Sequence, residues 1–279
     1  MKFALCYSVN DPAGRGIASR LLELVGDFQE VEVPRSKEAW YSEMLSSYLV
    51  GFEEDVVEFD FLNILATAVN YFVILSRHSS ASGMKSFTVH HPGVIERGEK
   101  SSVFKLPPSN PYLSWAVLKF LRDLREEYGL LDFDVTYEAT HHGPTAVEKP
   151  ICFVEIGSSY EEWTMKEAQV VVARAVLGSI KQLTSSGKCA CTVSVGFGGS
   201  HYAPKFTARA FKLDECYGHI IPAYILKSLS EAEVNNVAKQ AIRSTPEIRR
   251  VVIEKKIRKG IREAIKEVAR ALGLEVVEV

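Results

Sequence analysis

The chain has 279 residues, of which 47% are hydrophobic and 24% are charged, with a net charge of −2. This composition is typical of an ordinary globular protein that can bury a substantial core. No stretch approaches 18 uninterrupted apolar residues and no signal peptide is evident, so we expect a cytoplasmic protein without a membrane segment. The five cysteines form no C-x-x-C pair, which predicts reduced thiols rather than disulfides or a zinc knuckle.

The small net charge hides a basic segment near the C-terminus. Residues 239–270 hold 11 Lys and Arg against 4 Asp and Glu, whereas residues 1–238 hold 22 against 29. A basic segment on an acidic body indicates a polyanionic partner. Towards the end of this segment, apolar residues recur at helical spacing from Ile257 to Val268. This pattern predicts a helix that packs on the body through one face and carries its lysines outside that face.

In chain order, predicted strands alternate with predicted helices. Residues 2–9 form an apolar strand, after which Asp11 and Pro12 begin a helix. Residues 71–80 are typical of a central strand that is buried on both faces. The other predictions are short strands at 31–34 and 56–61, a strand at 85–93, a loop at 98–110, a helix at 111–128, strands at 133–145 and 151–159, a helix at 161–181, a strand entering a glycine loop at 189–207, a mostly helical final third and a last strand at 274–279.

The order of these elements predicts the fold class. Strands that alternate with helices favour an α/β fold around a central mixed, largely parallel sheet flanked by helices. No internal repeat or long linker divides the chain. We therefore predict a single domain over residues 1–279, with a basic helical region at 239–270 within it.

Six of the seven histidines lie where a predicted strand ends in a loop. In open α/β sheets, ligands gather at the carboxyl ends of the strands. These imidazoles, with Glu138 and Glu155 nearby, could form a metal or proton-transfer cluster. Neighbouring strand residues point to opposite faces, so one histidine of each adjacent pair can face a shared site unless a turn relaxes this rule. The alternative is that each is a separate capping or core residue. The six are His78, His90, His91, His141, His142 and His201.

Two other motifs argue against familiar enzyme classes. The stretch VGFGGSHY does not match G-x-G-x-x-G, and Pro204 with Lys205 follows where that motif would begin a helix, which argues against a Rossmann turn. It is either an anion-binding loop or a turn that needs positive φ angles. Ser158 and Ser159 lack a surrounding G-x-S-x-G elbow, so a serine hydrolase is not indicated.

Six segments occur together and in order: SRHSS, TVHHPG, EATHHGPT, EIGSS followed by Trp163, VGFGGSHYAPKFT and GHIIPAY. This set resembles the D-aminoacyl-tRNA deacylases of the archaeal and plant type over essentially the whole chain. The resemblance implies hydrolysis of the ester that joins a D-amino acid to tRNA, a zinc cofactor, and a fold likened to peptidyl-tRNA hydrolase and phosphorylase-like proteins. Histidine-held Zn²⁺ suits this chemistry because it activates water and polarises a carbonyl.

The histidine pattern and the resemblance together assign roles to individual residues. We expect one of His141 and His142 to bind zinc and the other to act as a general base or to hydrogen-bond the substrate, in a turn fixed by Gly143 and Pro144. The predicted partner is tRNA charged with D-amino acids, contacted by residues 239–270, with no obligate protein partner. The predicted metal ligands are His78, His90, His142 and His201; the predicted catalytic residues are His141, His142 and Glu138; the predicted substrate-binding residues are Arg77, Thr145, Ser200, Lys205, Lys255, Lys256 and Lys259.

Two alternative functions remain open at this point. A phosphorylase-like or amidohydrolase-like enzyme for a small nucleoside or peptide could use the same strand-end site, but it would not need the basic segment. A non-catalytic RNA-binding protein would use the basic segment and keep its histidines for structure. Metal analysis distinguishes the RNA-binding protein from the zinc-dependent enzyme. Catalytic zinc predicts bound metal and turnover that is sensitive to chelators.

Overall fold

The computed structural model describes residues 1–81, 83–96 and 103–279. Within them, strands and helices alternate along most of the chain. The strands are β1 (Phe3–Ser8), β2 (Gln29–Glu30), β3 (Glu38–Ser42), β4 (Ser47–Phe52), β5 (Tyr71–Ser79), β6 (Ser86–His90), β7 (Val94–Glu96), β8 (Val103–Lys105), β9 (Asp134–Tyr137), β10 (Ile151–Ser158), β11 (Thr192–Phe197), β12 (Glu215–Ile221), β13 (Arg250–Ile253) and β14 (Glu275–Glu278). The α-helices are α1 (Pro12–Val25), α2 (Pro111–Glu127), α3 (Tyr160–Thr164), α4 (Lys166–Ser186), α5 (Pro204–Leu213), α6 (Ala223–Leu226), α7 (Glu231–Arg243) and α8 (Lys259–Ala271), and a 3-10 helix covers Val56–Leu65.

Eight strands form a mixed sheet in the order β2-β3-β4-β1-β5-β10-β6-β9. The central strands β4, β1, β5 and β10 are parallel, and β6 runs antiparallel to β10. Side chains of β1 alternate between two apolar clusters: Phe3 and Leu5 pack with α1, whereas Ala4 and Cys6 pack with the 3-10 helix. Burial on both faces explains why these strands are continuous apolar runs. The mixed, helix-flanked α/β sheet predicted from the sequence is confirmed.

A second sheet contains four parallel strands in the order β12-β11-β13-β14. Helices α7 and α8 share an apolar cluster with this sheet. The stripe from Ile257 to Val268 is buried in that cluster, as its spacing predicted. Among the described residues, no helix is both long and apolar enough to cross a membrane.

The start of α1 follows the sequence prediction closely. Asp11 Oδ1 accepts hydrogen bonds from the backbone N–H groups of Ala13, at 2.8 Å, and Gly14, at 3.1 Å, and Pro12 is the first helical residue. This is the arrangement expected when an aspartate caps a helix and proline occupies the first position, where no N–H donor is needed.

Several local predictions are wrong. Residues 56–61 form a 3-10 helix instead of a strand, because Val56, Phe59, Leu62 and Leu65 bury one face at a spacing of three residues. No strand forms at 31–34. Of the predicted loop at 98–110, residues 98–102 lie outside the described residues, and Val103–Lys105 form β8, which pairs with β7.

The basic segment 239–270 is not a continuous helical region. It contains the end of α7, then β13, then most of α8. The β-branched residues Val251, Val252 and Ile253 are buried in β13 between β11 and β14. Burial between two neighbouring strands explains why this apolar run is a strand.

The cysteines differ from the sequence prediction as well. Cys191 and Cys216 form a disulfide between the start of β11 and β12, with Cα atoms 5.8 Å apart. Cys6, Cys152 and Cys189 are buried free thiols. The prediction relied on spacing along the chain, whereas disulfide geometry depends on separation in space, and the parallel pairing of β11 with β12 brings these two residues together.

Candidate active site

Three neighbouring strands of the large sheet deliver the first residues of the site. His78 lies near the end of β5, His90 ends β6, and Glu155 lies on β10 between them, paired with Ser76 and Thr88. The backbone around His78 is fixed from two sides. Asp11 Oδ2 accepts the N–H of Arg77 at 2.8 Å, and the indole N–H of Trp163 donates to the His78 carbonyl at 3.0 Å.

The double-histidine turn is attached directly to two other segments of the site. Gly93 donates its N–H to the carbonyl oxygens of His141 and His142, at 3.2 and 2.7 Å. Ala139 donates its N–H to the His201 carbonyl at 2.8 Å. The segments TVHHPG, EATHHGPT and GGSHY are therefore hydrogen-bonded to one another through their backbones, which explains why they act as one structural unit.

The turn allows both adjacent histidines to face the same cleft. His142 has a φ angle of 40°, in the left-handed region, so the alternation of a regular strand no longer applies. A Cβ atom on Gly143 would lie 2.6 Å from the Val57 carbonyl oxygen, so glycine is required where the turn passes the 3-10 helix. The pair at the end of β6 behaves differently. His90, the last residue of the strand, packs against His141, whereas the next residue, His91, packs against His219 on the other side.

Five imidazole rings form a continuous group in the cleft. Ring centroids are 4.2 Å apart for His141 and His142, 4.4 Å for His90 and His141, and 4.6 Å for His141 and His201. His78 lies 5.4 Å from His201. The open cleft above them encloses about 310 Å³, and its wall also includes Val56 and Val57 of the 3-10 helix.

Two buried carboxylates, Glu138 and Glu155, lie beneath the rings. His78 Nδ1 is 3.0 Å from Glu138 Oε1 and 3.5 Å from Glu155 Oε2. Glu138 Oε2 is 3.6 Å from His141 Nε2 and 3.4 Å from His201 Nε2, and Glu155 Oε2 is 3.7 Å from His90 Nε2. Buried carboxylates are costly unless a cation offsets their charge, so this cluster requires a histidinium or a metal ion.

Backbone hydrogen bonds determine which ring nitrogens are available in the turn. Nδ1 of His141 donates to the Ala139 carbonyl at 2.8 Å, and Nδ1 of His142 donates to the Gly143 carbonyl at 2.6 Å. A neutral imidazole that donates from Nδ1 carries its lone pair on Nε2. The same arrangement fixes the tautomer of many metal-binding histidines.

The pKa directions divide the histidines into two groups. Burial lowers the pKa of His141 to about 2, assisted by the charges of His90 and His142, and burial also lowers the pKa of His142 and His201. For His78, burial acts in the same direction, but the carboxylates of Glu138 and Glu155 outweigh it and raise the pKa to about 11. Burial lowers the pKa of His90 as well, but the carboxylates of Glu155 and Glu138 outweigh it and raise that pKa. Without metal, His78 and His90 are therefore the cations that compensate the two glutamates.

The cluster has the features of a metal site. Neither ring nitrogen of the buried His90 has a hydrogen-bond partner among the described residues, and neither oxygen of Glu138 has an aligned donor there. Imidazole nitrogens and carboxylate oxygens are the ligand types that zinc accepts. Three groups have potential ligand atoms within 4.8 Å of one another: His90–His141–His142, His78–Glu138–His201 and His90–Glu138–Glu155.

The structure brings together the predicted metal and catalytic residues but spreads out most of the predicted substrate-binding residues. Arg77 lines the cleft and is partly exposed. Thr145 donates its N–H to Asp60, Ser200 bonds the Tyr202 carbonyl, and Lys205 is 3.7 Å from Glu254. Lys255, Lys256 and Lys259 are exposed on the loop before α8 and at its start, and no described contact joins them to the cleft. The roles of all these residues stay predictions.

Two residues that contact the cleft histidines were given no role by the sequence: Glu155 was named only as a neighbour of the possible cluster, and Tyr202 was not named. Glu155 is the one charged residue in β10, ICFVEIGS, and a lone acid within a buried apolar strand is a signal of function that the sequence contained. Tyr202 donates or accepts a hydrogen bond at 3.0 Å with His78 Nε2. Its position directly after His201 was the one feature of the sequence that could have marked Tyr202 as a site residue.

Fold and cleft together define a mixed α/β protein with a histidine–glutamate centre at the ends of its strands. The D-aminoacyl-tRNA deacylase family model matches residues 65–277. D-aminoacyl-tRNA deacylases of Desulfurococcus amylolyticus and Hyperthermus butylicus are 38% and 36% identical, covering 90% and 98% of this chain and 90% and 98% of their own. The crystal structure of the conserved protein AF0625 has a TM-score of 0.86 at 30% identity, covering 100% of this chain and 95% of that one. The chain belongs to the D-aminoacyl-tRNA deacylase family and is thus a hydrolase.

Proposed function

We propose that this protein hydrolyses the ester bond between a D-amino acid and the 3′-terminal ribose of tRNA, using zinc held in the histidine cleft. The observation that carries this proposal is a cluster of five histidines and two glutamates at one open cleft, in a chain of this family. Four of the histidines and Glu155 line the cleft, and His90 and Glu138 are buried against them. The alternative of a non-catalytic RNA-binding protein leaves the unpartnered nitrogens of His90 without an explanation.

His90, His141 and His142 are the residues that would hold a catalytic zinc ion. Three histidine ligands with a fourth position open to solvent are typical of hydrolytic zinc sites. Zinc, when bound, lowers the pKa of water and polarises an ester carbonyl, which are the two requirements of ester hydrolysis at neutral pH. The group His78–Glu138–His201 offers similar ligands, so direct metal analysis must establish how many ions are bound.

The protein's own residues supply proton transfer and orientation. Glu138 is buried, and its Oε2 faces the cleft histidines at 3.4 to 3.6 Å, so we assign it as the base that accepts a proton from the attacking water. The proton then passes to the ribose oxygen as the ester C–O bond breaks. Tyr202 holds His78 through a hydrogen bond, the carboxylate of Glu155 lies 3.7 Å from His90 without hydrogen-bonding it, and Val56 and Val57 form one wall of the cleft.

The basic segment provides the proposed contact with tRNA phosphates, although fewer cations are available than the sequence suggested. Lys266 is 2.9 Å from Glu263 and 3.0 Å from Glu278, so it is already paired with acids. Lys255, Lys256 and Lys259 are exposed, and no acid pairs with them among the described residues. We assign these three lysines to phosphate binding.

A deacylation assay tests this function directly. Purified enzyme should hydrolyse D-tyrosyl-tRNA much faster than L-tyrosyl-tRNA, lose activity after treatment with a chelator, and regain it when zinc is added. A chiral pocket discriminates most strongly when the wrong enantiomer leaves a buried polar group unpaired. Equal rates on the two esters would indicate a generic esterase, and full activity without metal would rule out the zinc assignment.

A further inference from the structure

A second, smaller pocket adjoins the catalytic cleft across the double-histidine turn. We call it the side pocket. It encloses about 180 Å³, and the hydrolysis proposed above makes no use of it. His141 and His142 line both cavities, so a molecule bound at the ester position has direct access to this space. The other lining residues are Gly93, Val94, Ile95, Glu96, Thr140, Tyr224 and Ile225.

Tyr224 is the aromatic residue of the side pocket and is 50% exposed. It lies on the short helix α6, directly after β12, within the GHIIPAY segment. Ala223 donates its N–H to the Gly199 carbonyl at 3.0 Å, so the glycine loop that precedes His201 also positions Tyr224. The ring is therefore held beside the cleft by the same backbone that places a cleft histidine.

Two polar groups of the side pocket are already engaged within the protein. Thr140 Oγ1 is hydrogen-bonded to His219 Nδ1 at 3.1 Å, and the Gly93 N–H donates to the His142 carbonyl. What remains for a ligand is the Tyr224 ring, the apolar side chains of Val94 and Ile225, and the exposed carboxylate of Glu96, which disfavours an anion. Such a surface binds a flat, weakly polar group by stacking more readily than a charged group.

We propose that the side pocket binds the 3′-terminal nucleobase of tRNA, stacked on the ring of Tyr224. This proposal rests on the proposed function, because the esterified ribose at the cleft carries that base as its nearest flat group. The D-amino acid side chain then lies in the open part of the cleft beside Val56 and Val57. Burial and the charge of Glu138 both raise the pKa of Tyr224.

The stacking can be measured without catalysis. Uncharged tRNA whose 3′-terminal adenine is replaced by 2-aminopurine should lose fluorescence when it binds the wild-type, zinc-loaded protein, because stacking on an aromatic ring quenches this base. Tyr224→Ala should abolish most of the quenching, and Tyr224→Phe, which keeps the ring, should retain it. Tyr41→Ala is a matched control, since Tyr41 stacks on Tyr48 at the opposite end of the large sheet. Unchanged quenching in Tyr224→Ala would overturn the proposal.

Kinetics then identify which part of the substrate the side pocket holds. Tyr224→Ala should raise KM about 10-fold for both D-tyrosyl-tRNA and D-alanyl-tRNA, with kcat within about 2-fold of wild type. A KM increase confined to D-tyrosyl-tRNA would overturn the proposal and assign the pocket to the amino acid side chain. If kcat fell in Tyr224→Ala and fell equally in Tyr224→Phe, the proposal would be overturned and the hydroxyl group would have a chemical role. If wild-type enzyme did not deacylate D-aminoacyl-tRNA, the proposed function would fail, whereas the fluorescence test of stacking would still stand.

Discussion

The histidines of this protein fall into two neighbouring regions with opposite surroundings. Four of them line the catalytic cleft and His90 packs against two of these rings, whereas His91 and His219 lie fully buried behind the cluster, with ring centroids 5.9 Å apart. Both ring nitrogens of His91 are bonded, to the Ile151 carbonyl at 2.8 Å and to Ser114 Oγ at 3.2 Å. His219 bonds the Pro107 carbonyl at 2.9 Å and Thr140 Oγ1 at 3.1 Å.

The difference shows what separates a structural histidine from a functional one in this fold. His90 and His91 are adjacent in sequence and equally buried, yet both nitrogens of His91 have protein partners, and those of His90 have none among the described residues. Buried polar groups are normally satisfied, so an unsatisfied imidazole indicates a partner supplied from outside the chain. We therefore expect changes in the cleft to affect catalysis and changes behind it to affect stability.

The largest effect is expected for a cleft histidine. His142→Ala should lower kcat at least about 100-fold while the protein still folds and binds tRNA, because a metal ligand or base stabilises the transition state more than the bound substrate. Zinc content should fall as well. Activity, bound metal and the melting temperature should all be measured, and a kcat near that of wild type would mean that His142 only shapes the turn.

The corresponding change behind the cleft should have the opposite outcome. His219→Ala removes both hydrogen bonds and leaves the Pro107 carbonyl and the Thr140 hydroxyl buried without their partner. We expect the free energy of unfolding to fall by about 2–4 kcal/mol, with zinc content unchanged and kcat per folded molecule within a few-fold. Denaturant unfolding provides the measurement. Loss of zinc in a folded variant would contradict the division into two regions.

The pH dependence of stability should also distinguish the two regions. Burial lowers the pKa of His219 to about 4, below the value of about 6.5 expected in the unfolded chain. Its contribution to stability is therefore complete above pH 6.5 and is lost as the pH falls towards 4, because the unfolded state binds the proton first.

Between pH 6.5 and 4, protonation of His219 should lower the free energy of unfolding by about 1.4 kcal/mol per pH unit. A His219→Asn variant should lack that part of the slope, so the difference between wild type and variant should shrink as the pH falls from 6.5 to 5. Both proteins are to be unfolded with denaturant in the zinc-loaded state. A difference that did not depend on pH would mean that folding does not lower the pKa of His219.

The smallest effect is expected outside both histidine regions. Replacing Lys255, Lys256 and Lys259 by Gln should raise KM for charged tRNA several-fold and reduce the salt dependence of binding by up to about one unit of log–log slope per lysine, with kcat little changed. Arg262 and Lys266 serve as controls, because both already contact Glu278. If KM and the salt slope stayed at wild-type values, tRNA must be held by another surface.

The sequence alone determined the elements that depend on local patterns. Asp11 and Pro12 defined the start of α1, the apolar run at 71–80 defined β5, and the spacing from Ile261 to Val268 defined the buried face of α8. The histidines could be assigned to strand ends for the same reason. Each of these conclusions follows from residues within one or two turns or strands of each other, where periodicity and capping preferences act directly.

Only the tertiary structure decided which of these side chains meet. The antiparallel pairing of β6 with β10 turns His90 towards Glu155 and His91 away from it, and the left-handed conformation at His142 lets both turn histidines face the cleft. The run at 251–253 became a strand because β11 and β14 bind its two edges. Strand order and facing depend on hydrogen bonds between residues far apart in the chain, and such pairings leave little trace in local periodicity.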